Sequence, residues 1–272
     1  MEICVIQLNA RHFRYYHEIK RYLEKEQADI VCIQEVATGN LSSYDGVFDP
    51  CATIAKTLGY HLSYGARYGC SDNKEITGEM WFAILSKYPI ESSTIHYIEQ
   101  TWPYRIIGTQ ESQLALGTST NEEEKKLSYM IDQLLPSCIL ECVIRIDSKL
   151  ISCVTTKFPA SRTTDTNNAM HNHLTSILWI ISGSANPTII WLDCNITPDS
   201  YIVSSIEQLV HRYWNLRNTL NRRIHPWFHH WIPDAWFEVD YIFTTHETKI
   251  LYYAIDEVDI SDHLPVKAII AI

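Results

Sequence analysis

Ile3-Cys4-Val5-Ile6-Gln7-Leu8, then Tyr15 to Gln27, then Asp29-Ile30-Val31-Cys32-Ile33-Gln34, is the stretch whose reading decides the fold. The first and last runs have the length and apolar content of buried strands. Between them Tyr15, Tyr16, Ile19, Tyr22 and Leu23 recur at helical spacing. A strand, helix and strand of this kind announce an α/β protein with helices laid over a sheet. Each strand ends on a polar group: Asn9 after the first, Glu35 after the second.

Downstream the same punctuation continues. Asp49-Pro50 opens a short helix, with Pro in its first turn and Gly59 as its stop. Tyr60 to Tyr68, Met80 to Ser86 and Ile90 to Ile98 read as strands, with a turn at Lys87-Tyr88-Pro89. Ile139 to Ile146 and Leu150 to Thr155 alternate as a hairpin about Asp147-Ser148-Lys149. A helix from about Asn167 to Ser182 precedes the strand Thr188 to Leu192, and the chain ends on strands at Val239 to Thr244, Lys249 to Ala254 and Val266 to Ile272. No linker, repeat or low-complexity tract interrupts this order. The expectation is one domain over residues 1–272, with a variable insertion at about 108–133 and a Trp-, His- and Arg-rich loop region at about 211–237.

The chain has 272 residues, 46% of them hydrophobic and 20% charged, which excludes disordered, collagen-like and coiled-coil chains. Its net charge of −10 excludes a basic footprint over the whole surface but not a local cationic groove. No apolar run reaches the roughly 18–20 residues of a membrane span. The start lacks the basic and apolar regions of a leader. Of the 8 cysteines, Cys4, Cys32, Cys142, Cys153 and Cys194 lie in strand-like apolar runs, no CxxC or zinc spacing occurs, and Cys51 and Cys70 lie in loop-like sequence. These features predict a cytoplasmic, reducing location.

The polar residues at strand ends carry the functional reading. Besides Asn9 and Glu35, Asp193 and Asn195 follow the strand Thr188 to Leu192, Asp240 opens the next strand, and Ser261-Asp262-His263 precedes the last. Side chains beyond strand ends are held rigidly while the adjoining loops stay open. A single Asp there is most often a turn former or a helix cap; a set of such residues together points to a site. Oxygen ligands without clustered His or Cys suit Mg²⁺. An Asp beside a His orients and charges an imidazole next to a phosphodiester, and an amide stabilises charge on a phosphoryl oxygen.

Ile33-Gln34-Glu35-Val36, Ala83 to Ile90, Leu192-Asp193-Cys194-Asn195, Val239-Asp240-Tyr241-Ile242-Phe243 and Ser261-Asp262-His263-Leu264-Pro265-Val266 resemble, in order and spacing, the motifs of the endonuclease/exonuclease/phosphatase superfamily with its DNase I-like fold. The resemblance implies a four-layer sandwich of two packed mixed β-sheets flanked by helices, and a Mg²⁺-dependent phosphodiesterase with Mn²⁺ as substitute. It implies Glu35 as the principal metal ligand, Asn9 as its support and Asp262 as a further ligand. Asp193 would orient or deprotonate the attacking water, Asn195 would stabilise the pentacoordinate phosphorus, and His263, oriented by Asp240, would contact the phosphate.

Three positions depart from the family pattern. The strand ending at Thr156 usually continues with His-Leu and here reads Lys157-Phe158. Lys157 supplies a point charge to the phosphate or marks lost activity, but is no neutral imidazole acid. Leu192 stands where Gly is usual, which alters packing beneath Asp193. Trp81-Phe82 stand where smaller or amide residues are usual, either narrowing the approach or filling core.

Arg212, Arg217, Arg222 and Arg223, with Trp227, Trp231 and Trp236, make residues 211–237 locally basic and aromatic, with Arg217, Arg222 and Trp227 as candidate substrate contacts. Packing of a long loop is the plainer reading of the tryptophans. The expected partner is a phosphodiester substrate in nucleic acid, with no obligate protein partner. The alternatives are a lipid or small-molecule phosphoester, and a catalytically degenerate member used as a binding domain, for which Lys157 is the main support.

Overall fold

A computed structural model describes residues 1–39, 47–72, 75–98, 105–108, 137–159, 168–196, 198–212, 219 and 238–272. Thirteen strands build two mixed sheets among these residues. One sheet contains β1 (Glu2–Asn9), β2 (Ile30–Ala37), β3 (His61–Asp72), β4 (Glu75–Ser86), β6 (Arg105–Gly108), β12 (Lys249–Ile255) and β13 (Val266–Ala271), in the order β12-β13-β1-β2-β4-β3-β6. The other contains β5 (Ile90–Ile98), β7 (Ser137–Ile146), β8 (Lys149–Lys157), β9 (Thr188–Asp193), β10 (His211–Arg212) and β11 (Asp240–Thr244), in the order β10-β11-β9-β8-β7-β5. The parallel pairs β1–β2 and β8–β9 lie among antiparallel neighbours.

The period-2 pattern of each central strand separates two cores. Ile3 and Val5 of β1, Ile30 and Cys32 of β2, Ile151 and Cys153 of β8, Ile189 and Trp191 of β9, and Ile242 of β11 meet between the sheets. The alternate residues face outward. Ile6, Leu8, Val31 and Ile33 pack under α1 (Tyr16–Glu26) and α2 (Pro50–Leu58). Val154, Ile190, Leu192, Tyr241 and Phe243 pack under α3 (Asn168–Gly183) and α4 (Tyr201–Glu207). The expected four layers are therefore present. The sheets approach so closely at Gly65 that a Cβ there would lie 2.9 Å from Leu140 Cβ, leaving no room for any side chain but hydrogen.

Local chemistry accounts for the element ends. Asp49 caps α2 by accepting a hydrogen bond from the Ala52 N–H at 2.9 Å, and Gly59 ends it at φ +70°, a left-handed conformation that glycine adopts without steric cost. The short α4 escapes periodicity arguments because seven residues give barely two turns; Ser200 caps it through Val203 N–H.

Some expectations are corrected. Cys51 is not in a loop but buried in α2, while Cys4 is only partly buried. The strands read as Tyr60 to Tyr68 and Met80 to Ser86 form a longer hairpin, β3 and β4. Phe82 fills the core between the sheets, and Trp81 packs beside Tyr64 with ring centroids 4.9 Å apart. Leu192 is fully buried beneath α3 and α4. The insertion beyond Gly108, and Arg217, Arg222 and Trp227, lie outside the described residues. Among the described residues no helix is long and apolar enough to cross a membrane.

Candidate active site

The face that each sheet turns to the other changes character along its strands. On β1 the series Ile3, Val5 continues as Gln7, Asn9; on β8 Ile151, Cys153 continues as Thr155, Lys157; on β9 Ile189, Trp191 ends on Asp193. The same two-residue period that builds the core thus delivers polar groups to one end of it. These groups bond across the gap. The Gln7 amide donates to Leu192 O at 3.0 Å and to Asp240 Oδ1 at 3.2 Å. Asn9 Nδ2 donates to Asp193 Oδ2 at 3.1 Å. Gln34 Nε2 donates to Thr155 Oγ1 at 3.2 Å.

Glu35 breaks the alternation. Strict period would turn it outward, away from the neighbouring Gln34. It sits at φ +50°, where the β2–β4 register slips between Ile33 and Val36. Such a bulge re-aims one side chain, and the carboxylate reaches Lys157 of the opposite sheet. Its second oxygen lies 3.4 Å from His12 Nε2.

The turn after β1 is strained. Arg11, His12 and Phe13 all have positive φ, at 44°, 57° and 58°, a conformation that costs each non-glycine residue roughly 1–2 kcal/mol. Buried Phe13 anchors the turn, and Asn9 Oδ1 accepts the Arg11 N–H at 2.9 Å. The turn places His12 on Glu35 and brings Arg11 Nε to 3.3 Å from Asp262 Oδ2.

On the other side His263 Nδ1 is 2.8 Å from Asp240 Oδ2, and both are buried. Thr219 fixes this pair from behind: its hydroxyl accepts the N–H groups of Val239 and Asp240, and its carbonyl accepts the Leu264 N–H at 2.6 Å. Asp193, Asp240 and His263 each bring one ligand-type atom within 4.8 Å of the others, a group that could hold a cation.

The electrostatics follow from burial and these partners. Burial first, then the charges of Asp240 and Glu35, push Asp193 up; Lys157 and His263 oppose this without cancelling it, and the carboxyl is held at about 6. Burial acts to lower His263, but Asp240 and Asp193 outweigh it, through charge and the Asp240 hydrogen bond, and raise the imidazole to about 10. Burial would raise Glu35 as well, yet Lys157 and His12 bring it well below the usual carboxylate range. His12 is lowered, chiefly by burial, and so favours its neutral form.

Eight of the residues singled out in the sequence converge here: Asn9, Glu35, Lys157, Asp193, Asn195, Asp240, Asp262 and His263. Asn195, at φ +50°, donates its amide to Phe158 O at 3.0 Å, so part of its hydrogen-bonding capacity holds the β8 end in place. Arg11, His12, Gln7 and Thr219 escaped the sequence reading. The adjacent Arg-His pair just past a strand end was a usable signal; nothing marked Gln7 or Thr219.

The sequence model of the Endonuclease/Exonuclease/phosphatase family matches residues 6–263. Among solved structures, an endonuclease/exonuclease/phosphatase from Beutenbergia cavernae superimposes with a TM-score of 0.69 at 15% identity, covering 99% of this chain and 71% of that one. A mannosyl-6-phosphatase from Bacteroides thetaiotaomicron gives 0.64 at 13% identity, covering 99% and 100%. D. rerio TDP2 complexed with a single-strand DNA product gives 0.65 at 13% identity, covering 100% and 99%. No curated protein sequence matches significantly. At these identities the superpositions speak for the fold, two mixed sheets with flanking helices.

Proposed function

The chain belongs to the endonuclease/exonuclease/phosphatase family, and on that premise we propose that residues 1–272 form one catalytic unit that hydrolyses a phosphodiester bond in nucleic acid. Members of this family are in general phosphoester hydrolases; the diester and the nucleic acid are our reading. The observation that carries it is the buried Asp193 beside the Asp240–His263 pair, at the joined ends of β9, β11 and the segment before β13. A carboxylate held near neutrality is matched to taking a proton from water. An imidazolium fixed by a carboxylate stabilises the negative charge that grows on phosphoryl oxygens.

In this reading Asp193 accepts the proton of the attacking water as its oxygen bonds to phosphorus. His263 donates a hydrogen bond to a non-bridging oxygen while the bond to the leaving oxygen breaks, and the leaving oxygen takes its proton from solvent. Asp240 and Gln7 hold His263 in register, and Asn195 contributes its remaining polar capacity to the phosphoryl group. Nucleic acid is favoured by the basic and aromatic sequence of residues 211–237, whose Thr219 is bonded to the backbone of Asp240. That TDP2 binds a single-strand DNA product gives a precedent on this fold. Cys4, Cys32, Cys51, Cys138, Cys142, Cys153 and Cys194 form no disulfide, which suits the cytoplasmic location we assign.

Mg²⁺, with Mn²⁺ as substitute, is the ion that the resemblance implies for Glu35, Asn9 and Asp262. Hard oxygen donors suit it, but these three residues as placed do not fit an ion. Lys157 and His12 engage the two Glu35 oxygens, Arg11 engages Asp262, and Asn9 is bonded to Asp193 and to Arg11 N–H. No step above is therefore routed through a metal.

The test is a panel of end-labelled single-stranded DNA and RNA, plasmid, a sugar phosphate and a lipid phosphoester, with and without EDTA. Cleavage of a nucleic acid, lost in Asp193→Asn, is expected. Turnover of the monoester or the lipid alone would overturn the nucleic-acid reading.

A further inference from the structure

The deepest departure in this site is a set of protein cations among the carboxylates. Four carboxylates converge among the described residues: Glu35, Asp193, Asp240 and Asp262. His263 answers Asp240. Two further cations answer the rest. The Lys157 ammonium contacts Glu35 and lies 3.6 Å from Asp193 Oδ2, bridging the two sheets. The Arg11 guanidinium lies 3.3 Å from Asp262 Oδ2.

We propose that Lys157 and Arg11 take the place of a divalent cation in this site, supplying its two positive charges from the chain itself. This rests on the site assignment made above and deepens it. The charge arithmetic is direct. Four carboxylates less the His263 cation leave three negative charges, and Lys157 with Arg11 reduce these to one. A divalent ion would make the same reduction.

The fold holds both cations in position. Lys157 pairs in register with Asp193 across β8 and β9, so its backbone cannot drift from that carboxylate. Phe158 N–H donates to Asp193 O at 2.8 Å, and the Phe158 ring stacks on His173 of α3 with centroids 4.3 Å apart, pinning the chain just past Lys157. The Lys157 side chain is only 12% exposed. Arg11 is held by the strained turn, whose Arg11 N–H is bonded to Asn9 Oδ1. An ammonium is a compact point charge, able to sit between two carboxylates and face a phosphate. It does not acidify a bound water as a metal does, so water activation falls wholly on Asp193. Placing any metal on Glu35 requires Lys157 to leave.

Mn²⁺ binding, followed by the loss of its free electron-spin-resonance signal and by the shift of the melting temperature, tests this without any substrate. Wild type is expected to bind Mn²⁺ no more tightly than the millimolar range and to melt at the same temperature with and without it. Lys157→Met and Lys157→Gln are expected to gain about tenfold or more in Mn²⁺ affinity and to be stabilised by the ion. Micromolar Mn²⁺ binding by wild type, or affinities alike in wild type and folded variants, would overturn the proposal. The wild-type measurement decides even if neither variant folds. Failure of every substrate in the panel would overturn the hydrolase reading and leave these binding outcomes untouched.

Discussion

The two halves of the site solve the problem of buried charge differently. On the His263 side, one imidazole, one carboxylate and one amide make a directed chain, Gln7 to Asp240 to His263, at 3.2 and 2.8 Å. On the Glu35 side, carboxylates meet cations whose contacts are ionic, Lys157 and Arg11, with the neutral His12 at 3.4 Å from Glu35. The first half fixes an orientation, while the second chiefly balances charge. An orienting group is hard to replace because its geometry matters at the reacting atoms; a balancing group only has to preserve the local sum.

The largest effect expected from this contrast is in the chemistry. His263→Ala and Asp240→Asn should each lower kcat/KM by about 10²–10⁴, the usual range for loss of a positioned proton donor or its partner. Glu35→Gln should keep kcat/KM within about tenfold of wild type, because Lys157 retains Asp193. Equal losses in steady-state assays would erase the distinction between the halves.

Stability should show the reverse order. Lys157 and Glu35 are 12% and 17% exposed, and removing one partner of such a pair costs about 3 kcal/mol. Glu35→Gln should therefore melt roughly 6–10 °C lower in calorimetry. An unchanged melting temperature would mean that the pair adds nothing to the fold.

The pH profile sharpens the comparison further. Asp193 must be ionised to act, so kcat/KM should rise through about pH 6. His263 must be charged, so the rate should fall through about pH 10. In Asp240→Asn the upper limb should move down toward the ordinary imidazole value. The linkage has the same sign: the stability His263 adds is fully present below pH 6.5 and is lost as pH rises through about 10. An upper limb unmoved in Asp240→Asn would detach that limb from His263.

The smallest effect is expected at Gln7→Leu. It removes one neutral amide donor from Asp240, costing about 1–2 kcal/mol in denaturant unfolding. The His263 limb should remain within a unit of wild type. A loss as large as that of Asp240→Asn would make Gln7 a full member of the orienting chain.

Much of this was legible in the chain. The ends of α2 were, because Asp49, Pro50 and Gly59 each act within one turn. So were most strands, and the polar series at their ends, because period 2 is a local property. Asp193, Asp240 and His263 could be named because they sit beside apolar runs that declare themselves. What resisted reading depended on partners far away. Strict alternation points Glu35 outward, and only the bulge against β4 turns it inward. Lys157 could be marked as unusual, but its bond to a residue 122 positions earlier could not be. Arg11 and His12 reach Asp262 and Glu35 only through a run of positive φ angles, which no local pattern announces. Arg217, Arg222 and Trp227, chosen for charge and aromaticity, lie outside the described residues.

The sequence by itself determined most of the strands, their covering helices and the polar groups near the strand ends, since hydrophobic period and turn chemistry act over a few residues. Only the tertiary structure decided which charges meet. Coulomb interactions depend on distance through space, and packing the two sheets brings Glu35, Lys157 and Asp193 together from strands scattered along the chain.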